Sequence, residues 1–323
     1  MKRLLSQNSP LVILSVLCFV LALISEDFRA TDNLQNVAQR TCVIAIMAMG
    51  QVLVILTAGI DLSVGSVAAL AGVTGSLAMV DWELHPALGV AIGTGTGLVC
   101  GVINGGLIAK GKIPPFIVTL GMMMAARGVA MVISGAKPFF GLPELFRYLG
   151  GVRPVTFPFI GTLEGWWVPV AAMLAIIIVG SAMLAFTRFG RSIYATGGNL
   201  QGARLSGINI DWVRIGVYSL SGACAGFAGM VHAARVGIGD PSAAEMYELD
   251  SIAACVIGGT SLMGGEGTGL GALAGALIMS VLVNFCNLND INVHWQRVIV
   301  GALIIALVFY DTYRKRRAGL LKE

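Results

Sequence analysis

Long apolar runs alternate along the chain with short breaks rich in charge, glycine or proline, and a spanning helix takes about 20 predominantly apolar residues. Cutting at those breaks gives ten segments, at residues 10–25, 41–58, 62–80, 87–109, 115–134, 168–187, 214–235, 251–263, 268–287 and 296–311. The pattern predicts an all-α fold, a polytopic transmembrane helix bundle of about ten membrane segments, with 1–323 as a single transmembrane domain. Several segments fall short of a full crossing, notably 251–263, and glycine interrupts others. Broken or re-entrant helices buried inside protein are therefore expected. Met1-Lys2-Arg3 ahead of the apolar run Leu11–Ile24 has the outline of a secretory leader. The stretch Leu23-Ile24-Ser25-Glu26 lacks the small-residue cleavage pattern and more apolar segments follow, so an uncleaved first helix is predicted.

Composition agrees: 56% of the 323 residues are hydrophobic and 12% charged, where an ordinary soluble domain is about one quarter charged. A mean hydropathy of +0.84 excludes a soluble enzyme with one buried core, which would be left with large exposed apolar patches. The apolar content also excludes a disordered chain, and a net charge of +4 is too small to argue for nucleic acid. Where the charges lie is more informative. With ten crossings both termini share a side, which carries thirteen basic residues: Lys2, Arg3, Lys110, Lys112, Arg188, Arg191, Arg204, Arg214, Arg314, Lys315, Arg316, Arg317 and Lys322. The other side carries seven, Arg29, Arg40, Lys137, Arg147, Arg153, Arg235 and Arg297, and Arg127 alone is left within a span. Positive charge is retained in the cytoplasm, so both termini are predicted cytoplasmic.

Lipid tails are as apolar as the helices they surround, so close backbone approach through small residues carries much of helix association. Gly89, Gly93, Gly97, Gly101 and Gly105 fall four apart and form a strip down one face of the fourth segment; Gly267, Gly271 and Gly275 repeat the spacing near the ninth. These are packing surfaces, and a sliding role during gating is the alternative.

Catalytic readings fare poorly. Gly106–Ile113 nearly spells a phosphate-binding P-loop, but Ile113 stands where a hydroxyl would hold magnesium, and the stretch ends an apolar helix instead of following a strand. If ATP powers this protein, another chain binds it. Ser219, Ser221 and His232 share the seventh segment without a hydrolase signature around them. The six cysteines are scattered singly within apolar runs, with no metal-ligand or redox spacing. No catalytic residue, metal or cofactor is predicted. Ion-coupled transport needs ionisable groups at membrane depth; Asp61, Arg127 and Asp250 are the few candidates, which argues against a proton- or sodium-driven carrier.

Three segments carry specific information. Thr57–Gly65 joins the second and third spans, and Asp61 is placed either to cap a helix starting at Leu62 or to line or gate a path. The inner stretch 188–214 contains Asn199 as a good N-cap, Leu200–Ser206 as two short turns and Gly207 as a stop, reading either as a docking element or as a solvated connector. Tyr247–Gly265 pairs a short apolar helix with consecutive glycine pairs, the form of a half-helix and loop at membrane depth.

The wording GIDLSVG at 59–65, KGKIPPFIVTLG at 110–121, GRSIYATGGN at 190–199, RLSGI at 204–208 and ELDSIAACVIGGTSLMGG at 248–265 resembles the permeases of bacterial ATP-binding-cassette (ABC) importers for ribose, xylose, arabinose and galactosides, nearly end to end. That resemblance implies an inner-membrane permease subunit, not itself an enzyme. It implies partners too: a cytoplasmic ABC ATPase, a periplasmic substrate-binding protein, and a second permease subunit, either another copy or a paralogue. It makes Asn199, Leu200, Gln201, Gly202, Ala203, Arg204, Leu205, Ser206 and Gly207 the helix coupled to the ATPase. Relatives usually carry acidic residues and two alanines before RLSGI; Leu200, Gln201, Gly202 and Ala203 stand here instead, leaving Arg204 and shape as the docking determinants. ATP binding would then rock the glycine-packed spans between outward and inward access. Asp61, Asn104, Arg127 and Asn284 are the polar candidates for the translocation path or gate, with helix packing as the alternative for each of the last three. The rival from another class is a self-contained channel or secondary carrier needing no ATPase.

Overall fold

The computed structural model describes residues 9–157 and 161–317; Lys2, Arg3 and Lys322, counted above for orientation, lie outside them. Among the described residues, helices joined by turns and loops make up the fold, with one short pair of strands. In chain order the helices are α1 (Ser9–Ile24), α2 (Glu26–Arg29), α3 (Thr31–Leu56), α4 (Val64–Val80), α5 (Pro86–Ala109), α6 (Pro115–Ser134) and α7 (Glu144–Arg147). A hairpin of β1 (Val155–Phe157) and β2 (Gly161–Leu163) follows, then α8 (Trp167–Phe186), α9 (Arg188–Gly198), α10 (Leu200–Leu205), α11 (Ile210–Val236), α12 (Tyr247–Ile257), α13 (Gly269–Leu288) and α14 (Val293–Arg317). Among the described residues, α3, α5, α6, α8, α11 and α13 are long and apolar enough to cross a membrane, and α1 and α4 are shorter apolar helices.

The helix positions follow the hydrophobic segments, with two departures. α3 begins at Thr31, ten residues before the apolar run, and since half of Thr31–Arg40 consists of weak helix formers, tertiary contacts and not propensity hold this extension helical. There Gln39 donates to the Gly151 carbonyl at 3.2 Å and Gln35 to Glu164, tying the extension to the long connection between α6 and α8. The second departure is at 251–263: the helix runs Tyr247–Ile257 and gives way to a glycine loop.

α3 is apolar on all sides and is buried continuously from Thr41 to Leu56, as such a helix must be. Around it lie α8, α11, α12 and α13, and α1 packs outside α13. The closest pairing joins α5 and α11. The predicted strip on α5 has a matching one on α11: a Cβ at Gly97 would lie 2.7 Å from the Gly226 Cα, one at Gly222 2.9 Å from the Gly101 Cα, and one at Gly105 2.7 Å from the Ile215 Cα. The outer members turn to α4, where Gly89 meets the Gly75 carbonyl at 3.1 Å and Gly93 that of Ala71 at 2.7 Å. Such backbone contact leaves no room for any side chain. The second strip binds the half-helix: Gly271 and Gly275 on α13 lie against the Gly258 and Ala254 carbonyls at the end of α12, while Gly267 precedes α13 with φ +154° and faces Thr260.

Candidate functional site

The helices converge on Asp61. Thr57–Ser63 forms an irregular connection whose backbone is satisfied locally: the N–H groups of Thr57 and Gly59 both donate to the Val54 carbonyl, at 3.0 and 3.2 Å. Asp61 does not cap a helix beginning at Leu62. α4 starts at Val64 with Ser63 as N-cap, and Asp61 accepts from the Ser63 N–H at 3.0 Å and from its hydroxyl at 2.6 Å, a two-residue side-chain turn favoured over capping because the chain has not yet entered the helix. Its other oxygen accepts from Ser221 on α11 at 3.1 Å, and Asn104 on α5 donates to the Ser63 hydroxyl at 3.0 Å. All four side chains are buried. Two predicted path residues, Asp61 and Asn104, thus share one network linking α4, α5 and α11. Ser221, which the sequence offers as a helix-packing serine and not as a nucleophile, completes it. His232 lies eleven residues further along α11, edge-on to the Tyr247 ring at 5.7 Å, so no serine–histidine pair forms.

The other two candidates lie elsewhere. Asn284 on α13 pairs with Asn33 on α3 through reciprocal amide bonds of 2.6 and 3.1 Å, holding the C-terminal end of α13 to the N-terminal end of α3. Arg127 on α6 donates to the carbonyls of Pro241 and Ala243, at 2.7 and 2.8 Å. Those carbonyls belong to the connection between α11 and α12, which runs down beside α4 instead of lying over the bundle. Phe139 and Gly239 exchange backbone bonds of 3.0 Å at its top, Gly239 packs on Ser76, and lower down a Cβ at Gly65 would come within 2.6 Å of the Ala244 carbonyl and overlap the Glu248 carboxylate. Nothing in the local sequence announces this descent, which composition alone would read as an ordinary outer loop.

At the opposite end the three informative segments meet. Beyond α12 the loop Gly258–Thr268 folds under the bundle, with φ above +70° at Gly259, Gly264 and Gly265. The Gly265 N–H donates to the Leu56 carbonyl at 3.0 Å, a Cβ at Gly264 would lie 2.9 Å from the Ala58 nitrogen, and one at Gly265 2.9 Å from the Gly198 Cα. Tyr194 on α9 donates its hydroxyl to the Gly267 carbonyl at 2.8 Å. On this platform stands α10. Asn199 has extended backbone (φ −154°) and accepts from the Gly202 N–H at 2.8 Å, the Ser206 hydroxyl donates to the Gly202 carbonyl at 2.9 Å, and Gly207 stops the helix at φ +79°. Of its residues only Ala203 is buried; Leu200, Gln201 and Arg204 are exposed and Leu205 is 90% exposed.

Among the described residues no group of histidine, cysteine or acidic side chains could hold a metal. What the arrangement offers is mechanical: a buried polar lock between helices, a descending connection held by an arginine, and an exposed capped helix joined to the bundle by backbone contacts.

Comparison with known proteins gives this arrangement its context. Residues 33–308 match the family described as branched-chain amino acid transport system / permease component. Over 318 residues the chain is 40% identical to the ribose import permease protein RbsC of Escherichia coli K12, covering 97% of this chain and 96% of that one. It is 36% identical over 309 residues to the ribose import permease protein RbsC of Bacillus subtilis 168, covering 96% and 93%. It is 34% identical over 345 residues to the xylose transport system permease protein XylH of E. coli K12, covering 90% and 87%. No solved structure matches significantly. With the family match spanning most of the chain and the relatives aligned nearly end to end, the chain belongs to the permease family of ABC importers.

Proposed function

We propose that this permease carries a pentose of the ribose or xylose type across the bacterial inner membrane, as a multi-pass subunit with both termini in the cytoplasm. The observation that carries the substrate class is the 40% identity, across 97% of the chain, to a protein named for ribose import. Among the described residues, the nine helices of 16 residues or more, with α12 as a half-helix, account for about ten membrane segments, and the excess of Lys and Arg on the side of α9 and α10 supports the orientation. α10, from Asn199 to Gly207, docks into a cytoplasmic ABC ATPase through Leu205 and Arg204. A periplasmic binding protein delivers the solute, and a second permease subunit, another copy or a paralogue, completes the core. ATP hydrolysis belongs to the partner chain. Asp61 and Asn104, with Ser63 and Ser221, act as a polar lock at the inner part of the path, released when α10 moves; Asn284 holds helices together.

Co-reconstitution in liposomes with the ATPase and binding protein tests this. ATP- and binding-protein-dependent uptake of labelled ribose or xylose is expected, and no uptake of leucine. Leucine uptake in their place overturns the substrate class. Solute flux with the permease alone overturns the coupled mechanism in favour of a channel or secondary carrier.

A further inference from the structure

The connection between α11 and α12 is the least ordinary backbone in the bundle. Arg127 is the thirteenth residue of the 20-residue α6, which puts it about 18 Å along a helix about 30 Å long at 1.5 Å per residue. The segment it holds passes Ser76 at Gly239 and reaches Gly65 at Glu248; the eleven residue steps along α4 from Gly65 to Ser76 span about 16 Å. Asp240–Glu248 therefore lies at the depth of the apolar helices, with non-glycine residues at positive φ, Ala244 at 54° and Met246 at 70°. Strained backbone of this kind persists only where its surroundings hold it; Arg127 does so from outside the segment, and Asp240 from within it by accepting from the Ser242 N–H and hydroxyl.

Two features of this segment are left over once its structural role is counted. Arg127 has five donors, and only Nη1 is engaged, on Pro241 and Ala243; among the described residues no acceptor takes the others. Glu248 rests against the open face of Gly65, and among the described residues no side chain bonds its carboxylate. Neither residue is buried, and Glu245 and Met246 beside them are exposed. Ionisable groups at membrane depth do not face lipid; they face the bundle interior or water. The surface bearing Arg127, Glu245 and Glu248 therefore faces away from lipid, at the level where a solute must pass.

We propose that Asp240–Glu248, pinned by Arg127, is the solute-contacting constriction of the permeation route, where the Glu248 carboxylate accepts hydrogen bonds from, and the free Arg127 donors give them to, the hydroxyl groups of a neutral polyhydroxylated solute. This rests on the importer reading above. It adds Glu248, which no sequence argument picked out, to Arg127, and gives the arginine two jobs: positioning the backbone and contacting the solute.

In the complete transporter reconstituted in liposomes, with ribose and xylose as probes, Glu248→Gln is expected to lower the pentose moved per ATP hydrolysed at least tenfold; an unchanged ratio overturns the proposal. A second measurement needs no transported solute. With the six native cysteines replaced, Glu248→Cys is expected to react with a charged, membrane-impermeant thiosulfonate, and Val179→Cys, at a site 67% exposed on α8, to stay inert. Met246→Cys on the same segment serves if Glu248→Cys does not fold. Equal inertness of the segment and α8 positions overturns the proposal. If wild-type transporter imports neither pentose, the substrate reading fails, while the labelling still decides whether this segment lines an aqueous route.

Discussion

Asp61 shows how much one buried side chain organises. Three donors converge on its two oxygens, one of them from α11, 160 residues away. Asp61→Ala leaves buried hydroxyls without an acceptor, at about 1–3 kcal/mol for each stranded group, so the detergent-purified protein should melt at clearly lower temperature. Asp61→Asn keeps one acceptor oxygen and should lose less; equal melting of the two variants would refute the network. Gly65→Ala puts a methyl group against the Ala244 carbonyl and Glu248 and should reduce pentose uptake severalfold while the protein stays folded in size-exclusion chromatography. The local wording around Asp61 was enough to single it out. Its partners were not readable, because Ser221 and Asn104 reach it only through helix packing. Arg127 stood out as the lone charge within a predicted span, but its acceptors are backbone carbonyls, which carry no sequence signal at all.

At the scale of elements, glycine spacing separates positions that must be glycine from those that need not be. Gly97 has no room for a Cβ, whereas Gly95 on the same helix faces open space. Gly97→Ala should force α5 and α11 apart and sharply cut the folded yield, and Gly95→Ala should be neutral or stabilise by up to about 1 kcal/mol through helix propensity; melting of both variants checks this. For α10, Leu205→Asp and Arg204→Glu should abolish co-purification with the ATPase while leaving the melting temperature unchanged, since both side chains are exposed. The helices were legible because apolar runs and caps are local: Asn199 and Gly207 mark α10 correctly from sequence. The outward extension of α3 was missed because its polar residues look like a connection, and the descent of Asp240–Glu248 because glycine, aspartate, proline and serine mark a turn without saying at what depth it lies.

For the whole molecule, the orientation makes a sharp prediction. In spheroplasts of a cysteine-replaced background, Lys137→Cys should label with an impermeant reagent added outside, and Arg204→Cys only after the membrane is opened; the reverse pattern would invert the bundle. Toward the end of the bundle that bears the α3 N-terminus, side chains tie elements together, through Asn33 and Asn284, Gln39 and Arg127. Around α9 and the loop that follows α12, main chain meets main chain, where Gly197 and Gly198 of α9, Gly264 and Gly265 of the loop, Leu56 at the end of α3 and Ala58 beyond it touch directly. Side chains have rotamers and give when pushed. A joint of bare backbone has none, so, with α10 docked as proposed above, a displacement applied at Leu205 is expected to reach the foot of α3, and the Asp61 turn beyond it, without being absorbed on the way.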